Sequence, residues 1–371
     1  MSLVKISLQP LKSAFYILLF SVLLTGFRAW AEPDFLATDL QIQAWVNKGY
    51  YHGAGLIVCN RDGILHEKEF GDYRPDTVAY IASSGKWLAA ATIAAVVDEG
   101  KLSWDDPASK WVPELKHDPK GAATLRQLLS HTSGYPPYQP EGNPVDAYQT
   151  LQESVQHLAP LPALHPPGAE FEYGGLAMQV AGRMAELATG KDWETLFQEK
   201  IARPCAMKNT HFTPVDTKQG GHAPMLGGGA RSTLHDYEHF LSMIVHDGVY
   251  DGKRVLSQKA IREMQADQVR QAHVEPGKEF VERARGAKHH GIYGLGEWRE
   301  ELDSKGDAVL ISSPSWAGAY PWIDKVHGVY GFFLTHVEVN ATKKDHFSSF
   351  YGSPVIPMLV RQALASSDPG H

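Results

Sequence analysis

The chain has 371 residues, of which 43% are hydrophobic, 10% aromatic and 21% charged. This is globular composition with enough apolar content for a sizeable core, and it excludes a disordered chain, a collagen-like repeat and a fibre. The net charge is −7, and removing the first 31 residues, which carry Lys5, Lys12 and Arg28 but no acid, takes it to −10; such a body lacks the positive footprint that nucleic acid or an anionic membrane requires.

The first element reads as an export leader. Lys5 and Lys12 precede an apolar run from Ala14 to Phe27, and Ala29-Trp30-Ala31 then offers a small-x-small cleavage pattern. A membrane anchor needs roughly 20 apolar residues, more than this run supplies, and no cysteine follows it to carry a lipid. The expectation is cleavage after Ala31 and a mature chain, 32–371, that is periplasmic or secreted, with no stable membrane anchor. Disulfides are possible there, but Cys59 and Cys205 are the only cysteines and lie in apolar settings. Two buried free thiols are the simpler reading.

Next, Asp39 to Asn47 has the pattern of a short amphipathic helix. Gly55 to Asn60 and Ile64 to Phe70 are strand-like and are joined by Arg61-Asp62-Gly63, a hairpin signal. Val78 to Ile81 is strand-like and leads into an Ala-rich helix from Ser84 to Glu99, closed by Gly100. From about Leu102 to Gly228, proline-broken loops (Pro136, Pro137, Pro140, Pro144; Pro160 to Pro167) alternate with helical patterns. Leu176 to Thr189 repeats apolar residues at helical spacing and ends at Gly190. Ser232 and Thr233 can cap a helix through Tyr237, Phe240, Leu241 and Ile244. Beyond Gly291, Tyr293 to Trp298, Ala308 to Ile311, Ala317 to Ile323 and Gly328 to Val337 read as successive strands, and Val355 to Ala365 as a final helix.

Both ends of the chain are thus strand-rich and the middle is helical. A lone hairpin is marginal in water, so the terminal strands are expected to close one antiparallel sheet. This gives an α/β chain of the α+β type: a sheet region (about 32–82 and 290–371) flanked by helices, with a mostly helical region (about 83–289) inserted. The two parts share a cleft, where ligand sites commonly lie.

Ser83-Ser84-Gly85-Lys86 stands where a strand-like run turns into a helix. Ser83 and Lys86, at i and i+3, share a helix face, and the helix N-terminus adds free N–H groups and partial positive charge. Serine is a weak nucleophile until a base takes its proton. Lysine can be that base if its pKa falls from about 10.4 to about 7, a shift worth roughly 4.6 kcal/mol that burial can supply. The bland alternative is a capping serine and a surface lysine, with Ser84 as the cap or, in another register, the rival nucleophile.

Order and company strengthen the signal. Leu128-Leu129-Ser130-His131-Thr132-Ser133-Gly134 ends a short helix; Phe171-Glu172-Tyr173-Gly174-Gly175 follows the Pro166-Pro167-Gly168 turn; Gly227-Gly228-Gly229 precedes the capped helix; and Trp316-Ala317-Gly318 opens a late strand. In this order the motifs resemble the penicillin-recognising serine hydrolases, namely class C β-lactamases, DD-peptidases and family VIII carboxylesterases. The resemblance runs from roughly Ile42 to Leu364 and implies a β-lactamase/transpeptidase-like fold. It implies Ser83 as acyl-accepting nucleophile, Lys86 as its base and Tyr173 as proton relay. It also implies an oxyanion hole made by the backbone N–H groups of Ser83 and Ala319, and substrate contacts at Trp316, Ala317, Gly318 and Gly175.

Two departures shape the expected substrate. Where the family often has Tyr-x-Asn, position 175 is Gly, which can donate only from its backbone. Where peptidases and β-lactamases often carry Lys-Thr-Gly, Trp316 brings an aromatic wall without charge, which weakens carboxylate recognition. Trp-x-Gly resembles the esterase branch. The expectation is an exported carboxylesterase acting on small neutral esters through an acyl-enzyme, with a small-molecule ester or amide as partner and no cofactor or metal. A β-lactamase or DD-peptidase, and a non-catalytic binder keeping the fold, are the alternatives.

Other candidates have simpler explanations. No Gly-x-Ser-x-Gly elbow is present. His131 is expected to shape a turn rather than act as a base. His235 and His239, i and i+4, lack the His-Glu-x-x-His order and read as solvated. His289 and His290, which precede a strand, read equally well as cleft-lining or as ordinary loop residues, and Glu172 as a solvated side chain.

Overall fold

A computed structural model describes residues 32–140, 150–212, 224–278, 281 and 291–367. The leader, Pro144, His289 and His290 lie outside the described residues. Eleven strands occur among those described: β1 Tyr51–Asn60, β2 Gly63–Gly71, β3 Ala79–Tyr80, β4 His211–Phe212, β5 Ala230–Ser232, β6 Val249–Tyr250, β7 Lys253–Arg254, β8 Trp298–Leu302, β9 Ala308–Ser312, β10 Gly318–Asp324 and β11 Val329–Val337.

Six of them form the expected antiparallel sheet, in the order β2-β1-β11-β10-β9-β8. The join between the two chain ends is the β1–β11 pairing, in which Leu56 opposes Phe333 and Ile57 opposes Phe332. Leu56, Val58, Trp322 and Phe333 face the terminal helices, Leu36–Asn47 and Val355–Ser367, and pack on Ile42, Trp45, Ile356 and Val360. Ile57, Cys59, Ile323 and Phe332 face the helical region. Successive side chains on a strand alternate between faces, and here both faces are covered, so β1 and β11 read as continuous apolar runs. The outer strand β2 is half-exposed and carries Glu67, Lys68 and Glu69, charges that discourage edge-to-edge pairing. Both cysteines are buried and free, as expected.

Local signals place the helices well. The Leu176–Thr189 helix has its expected bounds, closed by Gly190 at φ +71°, and the Thr233 hydroxyl caps the Leu234–Val245 helix. The Ala-rich helix spans Gly85–Asp98 and is almost wholly buried. Two expectations are corrected. Tyr293 to Glu297 is not a strand: Tyr293 makes one bridge to Trp298, and Gly296 turns the chain at φ +77°, so β8 starts only at Trp298. The Val78–Ile81 run contributes only β3, which joins β5 and β4 in a separate three-stranded sheet. No helix among the described residues is long and apolar enough to cross a membrane.

In that turn sits Glu297, fully buried and without a cation in ion-pair contact among the described residues. Burial pushes its carboxyl up to about 8, so it is neutral at pH 7. A buried acid favours the folded state while protonated, and this contribution is complete below about pH 4.5. It declines as pH rises and is gone above about pH 8, at up to about 1.4 kcal/mol per pH unit. We predict that Glu297→Gln melts above the parent at pH 9 and that the gap closes at pH 5, read by calorimetry; a pH-independent difference would refute the neutral carboxyl.

Candidate active site

Ser83 lies in a single 3-10 turn, Ala82–Ser84, that feeds the Gly85–Asp98 helix. Ala82 holds φ +43°, a left-handed conformation that costs a non-glycine residue of order 1–3 kcal/mol and persists only where its surroundings enforce it. Those surroundings are identifiable. The Ile81 N–H donates to Ala230 O at 3.0 Å. The Tyr237 hydroxyl donates to Ser84 O at 2.7 Å. Ser84 Oγ donates to Ser313 O (2.7 Å) and Ala319 O (3.1 Å), and Ser313 Oγ to Ser83 O (3.2 Å). Gly85 permits the close approach of β5, because a Cβ there would stand 2.8 Å from the Ala230 Cβ. Ser84, wholly buried and committed to two carbonyls, is not the rival nucleophile; Ser83 is part-exposed at the cleft.

The Lys86 side chain doubles back to this turn. Its Nζ donates to Ser83 Oγ at 3.0 Å and to Gly227 O at 2.5 Å, and lies 4.7 Å from the Tyr173 ring centroid, within cation–π range. Lys86 is 2% exposed, and no carboxylate among the described residues pairs with it. Burial alone brings its ammonium down to about 7, the value that a lysine base needs. The sequence-predicted Ser83, Lys86 and Tyr173 are thus brought to one place.

Tyr173 is held by rings: His131 at 4.7 Å, Trp298 at 5.2 Å and Tyr293 at 6.0 Å. His131 itself is buried, at φ +61°, with Nε2 3.2 Å from the Tyr293 hydroxyl. Burial, and then the Lys86 charge, hold its pKa well below the ordinary value, so it is a neutral wall. Its carbonyl accepts the Glu172 N–H at 2.7 Å, which fixes the residue before Tyr173.

Ala319 follows Gly318 where the register between β10 and β11 slips, so it has no opposed partner in β11, and its carbonyl is tied to Ser84. Ala317 and Gly318 are buried, while Trp316 is 50% exposed and meets Tyr80 and His336 at 6.3 Å each. A cleft of about 130 Å3 opens over Ser83 and Lys86, walled by Tyr80, Tyr138, Leu176, Met225 and Trp316. Gly175 lines it too, but its N–H is given to Pro137 O at 2.9 Å, so it supplies room and not the expected donor.

Glu172 also departs from expectation. It pairs with Lys278 and stands 3.5 Å from His165, which reaches Glu170 at 3.2 Å. His165, Glu170 and Glu172 form the one group among the described residues with ligand atoms close enough for a metal. With Lys278 already neutralising Glu172, the group is satisfied as an ion-pair cluster. His235 pairs with Glu67 at 2.8 Å rather than with His239.

The sequence reading missed Gln179. Its amide bridges the segment before the three glycines, accepting from Leu226 N–H (2.8 Å) and donating to Pro224 O (3.0 Å) and Ser154 Oγ (3.2 Å). A Cβ on Gly227 would fall 2.7 Å from Gly175 Cα, so this segment lies flush on the helix start. Gln179 thereby aims the Gly227 carbonyl at Lys86. The available signal was a lone amide on the buried face of the Leu176–Thr189 helix.

Comparison with known proteins fits this geometry. The beta-lactamase family profile matches residues 39–347, and the chain belongs to that family. A Bacteroides dorei DSM 17855 protein, solved as a proposed beta-lactamase, is 54% identical over 90% of this chain and 99% of its own, with a TM-score of 0.85. The D-alanyl-D-alanine-carboxypeptidase/endopeptidase AmpH of Escherichia coli K12 is 31% identical over 49% of this chain and 51% of its own. Esterase EstB of Burkholderia gladioli is 29% identical over 44% and 46%. The chain thus spans about half of AmpH and somewhat less than half of EstB.

Two predictions follow from the amine. Labelling of Ser83 by a fluorescent phosphonate should accelerate as pH rises through about 7, where Lys86 loses its proton; a half-maximum above pH 9 would place the amine in water. Gln179→Leu should slow labelling at least tenfold at pH 7 and move that half-maximum, because the Gly227 carbonyl is released. Unchanged labelling with an unchanged melting temperature would refute the clamp.

Proposed function

We propose that this member of the beta-lactamase family is an exported serine esterase that hydrolyses small neutral esters through an acyl-enzyme on Ser83. The observation that carries it is the 3.0 Å contact between the Ser83 hydroxyl and a buried Lys86 amine with a pKa of about 7. In the reaction, Lys86 takes the Ser83 proton as Oγ attacks the ester carbonyl. The backbone N–H groups of Ser83 and Ala319 stabilise the oxyanion, each worth about 2.7–4 kcal/mol by analogy with measured losses of single donors. Tyr173, beside Lys86, passes a proton to the departing alkoxide, so that an alcohol leaves and Ser83 carries the acyl group. Water then attacks the acyl-enzyme with the same groups in reverse, releasing the carboxylic acid and restoring the Ser83 hydroxyl.

The cleft supports the substrate class. It is smaller than the about 300–1,000 Å3 that drug-sized ligands fill, and its walls are aromatic and aliphatic. At the strand entrance, where a cation would anchor a carboxylate, Trp316 offers an indole; at position 175 no side chain exists to hold an acylamide. EstB is an esterase by name, whereas AmpH is a peptidase, so peptidoglycan-type amides and β-lactams are the second reading. Export rests on the leader pattern of residues 1–31.

With p-nitrophenyl acetate and butyrate set against a chromogenic cephalosporin, kcat/KM should be higher for the esters. Faster cephalosporin turnover would reverse the ranking, and no turnover or phosphonate labelling of any kind would make the protein a binder. Ser83→Ala should abolish both. Lys86→Ala and Tyr173→Phe should each lower kcat by about 100-fold or more with the melting temperature retained; a folded, fully active variant removes that residue from the scheme. A chelator should leave the rate unchanged.

A further inference from the structure

A cavity of about 440 Å3 lies away from the cleft over Ser83. It lies at the other end of β10. That strand begins beside the Ser83 turn, through the Ser84–Ala319 contact, and ends at Asp324 on the cavity wall, roughly 16 Å further on at about 3.3 Å per residue. The two cavities share no lining residue. Four elements enclose it: the β1–β2 turn, the end of the Leu234–Val245 helix, the Gln258–Gln265 helix and the β10–β11 turn.

Its chemistry is two-sided. The floor is aliphatic and buried, formed by Ile244, Ile261 and Ile323. The rim carries three cations, Arg61, Arg262 and Lys325. Their charges are poorly matched. Arg61 reaches Asp247 only at 3.9 Å, Lys325 donates to the neutral Gln265 amide at 2.7 Å, and Arg262 has no ion-pair partner among the described residues. The other acid on the wall, Asp324, is already occupied: its Oδ2 accepts from Arg361 (2.6 Å) and His327 (2.9 Å), and its Oδ1 from two backbone N–H groups. A chain of net charge −7 thus gathers three cations, two of them without an ion-pair partner among the described residues, over an aliphatic pocket of ligand size.

We infer that this cavity is a second, non-catalytic binding site for a small amphipathic carboxylic acid, its carboxylate held by Arg262 and Lys325 and its hydrocarbon body on the isoleucine floor. Guanidinium and ammonium donors bind carboxylates through charge-assisted hydrogen bonds, and the aliphatic floor gains from covering apolar surface. A neutral alcohol of the same length satisfies only half of the site, and a cationic amphiphile meets repulsion at the rim. The site stands independently of the chemistry at Ser83.

The test is titration calorimetry of the full chain carrying Ser83→Ala, with sodium octanoate as probe. One saturable site is expected, with octanol and octyltrimethylammonium each at least tenfold weaker. Arg262→Gln with Lys325→Gln, which removes both charges but keeps polar side chains, should weaken octanoate at least tenfold. The same pair on the parent chain should leave p-nitrophenyl acetate turnover and the melting temperature unchanged. A second variant, Ile261→Trp, should block the cavity and reduce binding without touching a charge. Octanoate binding that survives both variants, or is abolished by a phosphonate on Ser83 of the parent chain, would assign the ligand to the cleft and overturn the inference. Equal affinity for octanol, or no binding at millimolar octanoate, would overturn it as well.

Discussion

An ammonium group removed from water loses its hydration, and what replaces the lost water decides whether it keeps its proton. Around Lys86 the replacements are all neutral: a hydroxyl, a peptide carbonyl and the face of a phenol ring. A carboxylate in this position would hold the charge and make the pair a structural salt bridge. With dipoles alone, burial wins and the amine releases its proton near pH 7. Every other feature of the site serves to keep that amine dry and aimed at Ser83.

The aim comes from elements far apart in the chain. The helix start that carries Lys86 is pressed against β5 at Gly85, the Ser83 turn is bonded to β5, to Ser313 just after β9, to β10 and to the Leu234–Val245 helix, and the segment leading into Gly227 is held by Gln179 through Pro224 and Leu226. The strained backbone at Ala82 is affordable because these bonds over-determine it. A site on packed elements is held more tightly than one on free loops. The β1–β11 pairing adds the last constraint, since without it the late strand that brings Ala319 and Trp316 would not reach the sheet built by the first strands.

Features written in local chemistry were legible. The Leu176–Thr189 helix announces itself by spacing and a glycine stop, and the Leu234–Val245 helix by its threonine cap. The two strand-rich ends required a common sheet whatever their register. Ser83, Lys86 and Tyr173 were legible because side chains carry identity. The Gly227 carbonyl was not, since every residue has one and only the fold says which points at an amine. Gln179 was hidden for a similar reason: an amide in a buried helix face shows that something is bonded, not what. Tyr293 to Glu297 failed as a strand because a run of apolar residues outweighed two glycines, one of which needs a positive φ. The buried Glu297 was the polar residue that should have signalled a turn.

The same electrostatics bears on which substrates suit the cleft. A base that works because it is surrounded by dipoles is sensitive to any charge brought near it. A substrate carboxylate within about 4–6 Å would favour the ammonium form of Lys86 and withdraw the base, unless a cation stood by to neutralise the newcomer. Trp316 supplies none, and the neighbouring His336 has its pKa lowered by burial, which favours an uncharged ring. The aromatic corner of Tyr80, Trp316 and His336 can enclose an apolar acyl or alkoxy group, and a neutral ester leaves the amine as burial set it. The missing lysine is therefore more than a lost contact. On the proposed reading it takes the usual cation away from the strand entrance, and so links the choice of substrate to the state of Lys86.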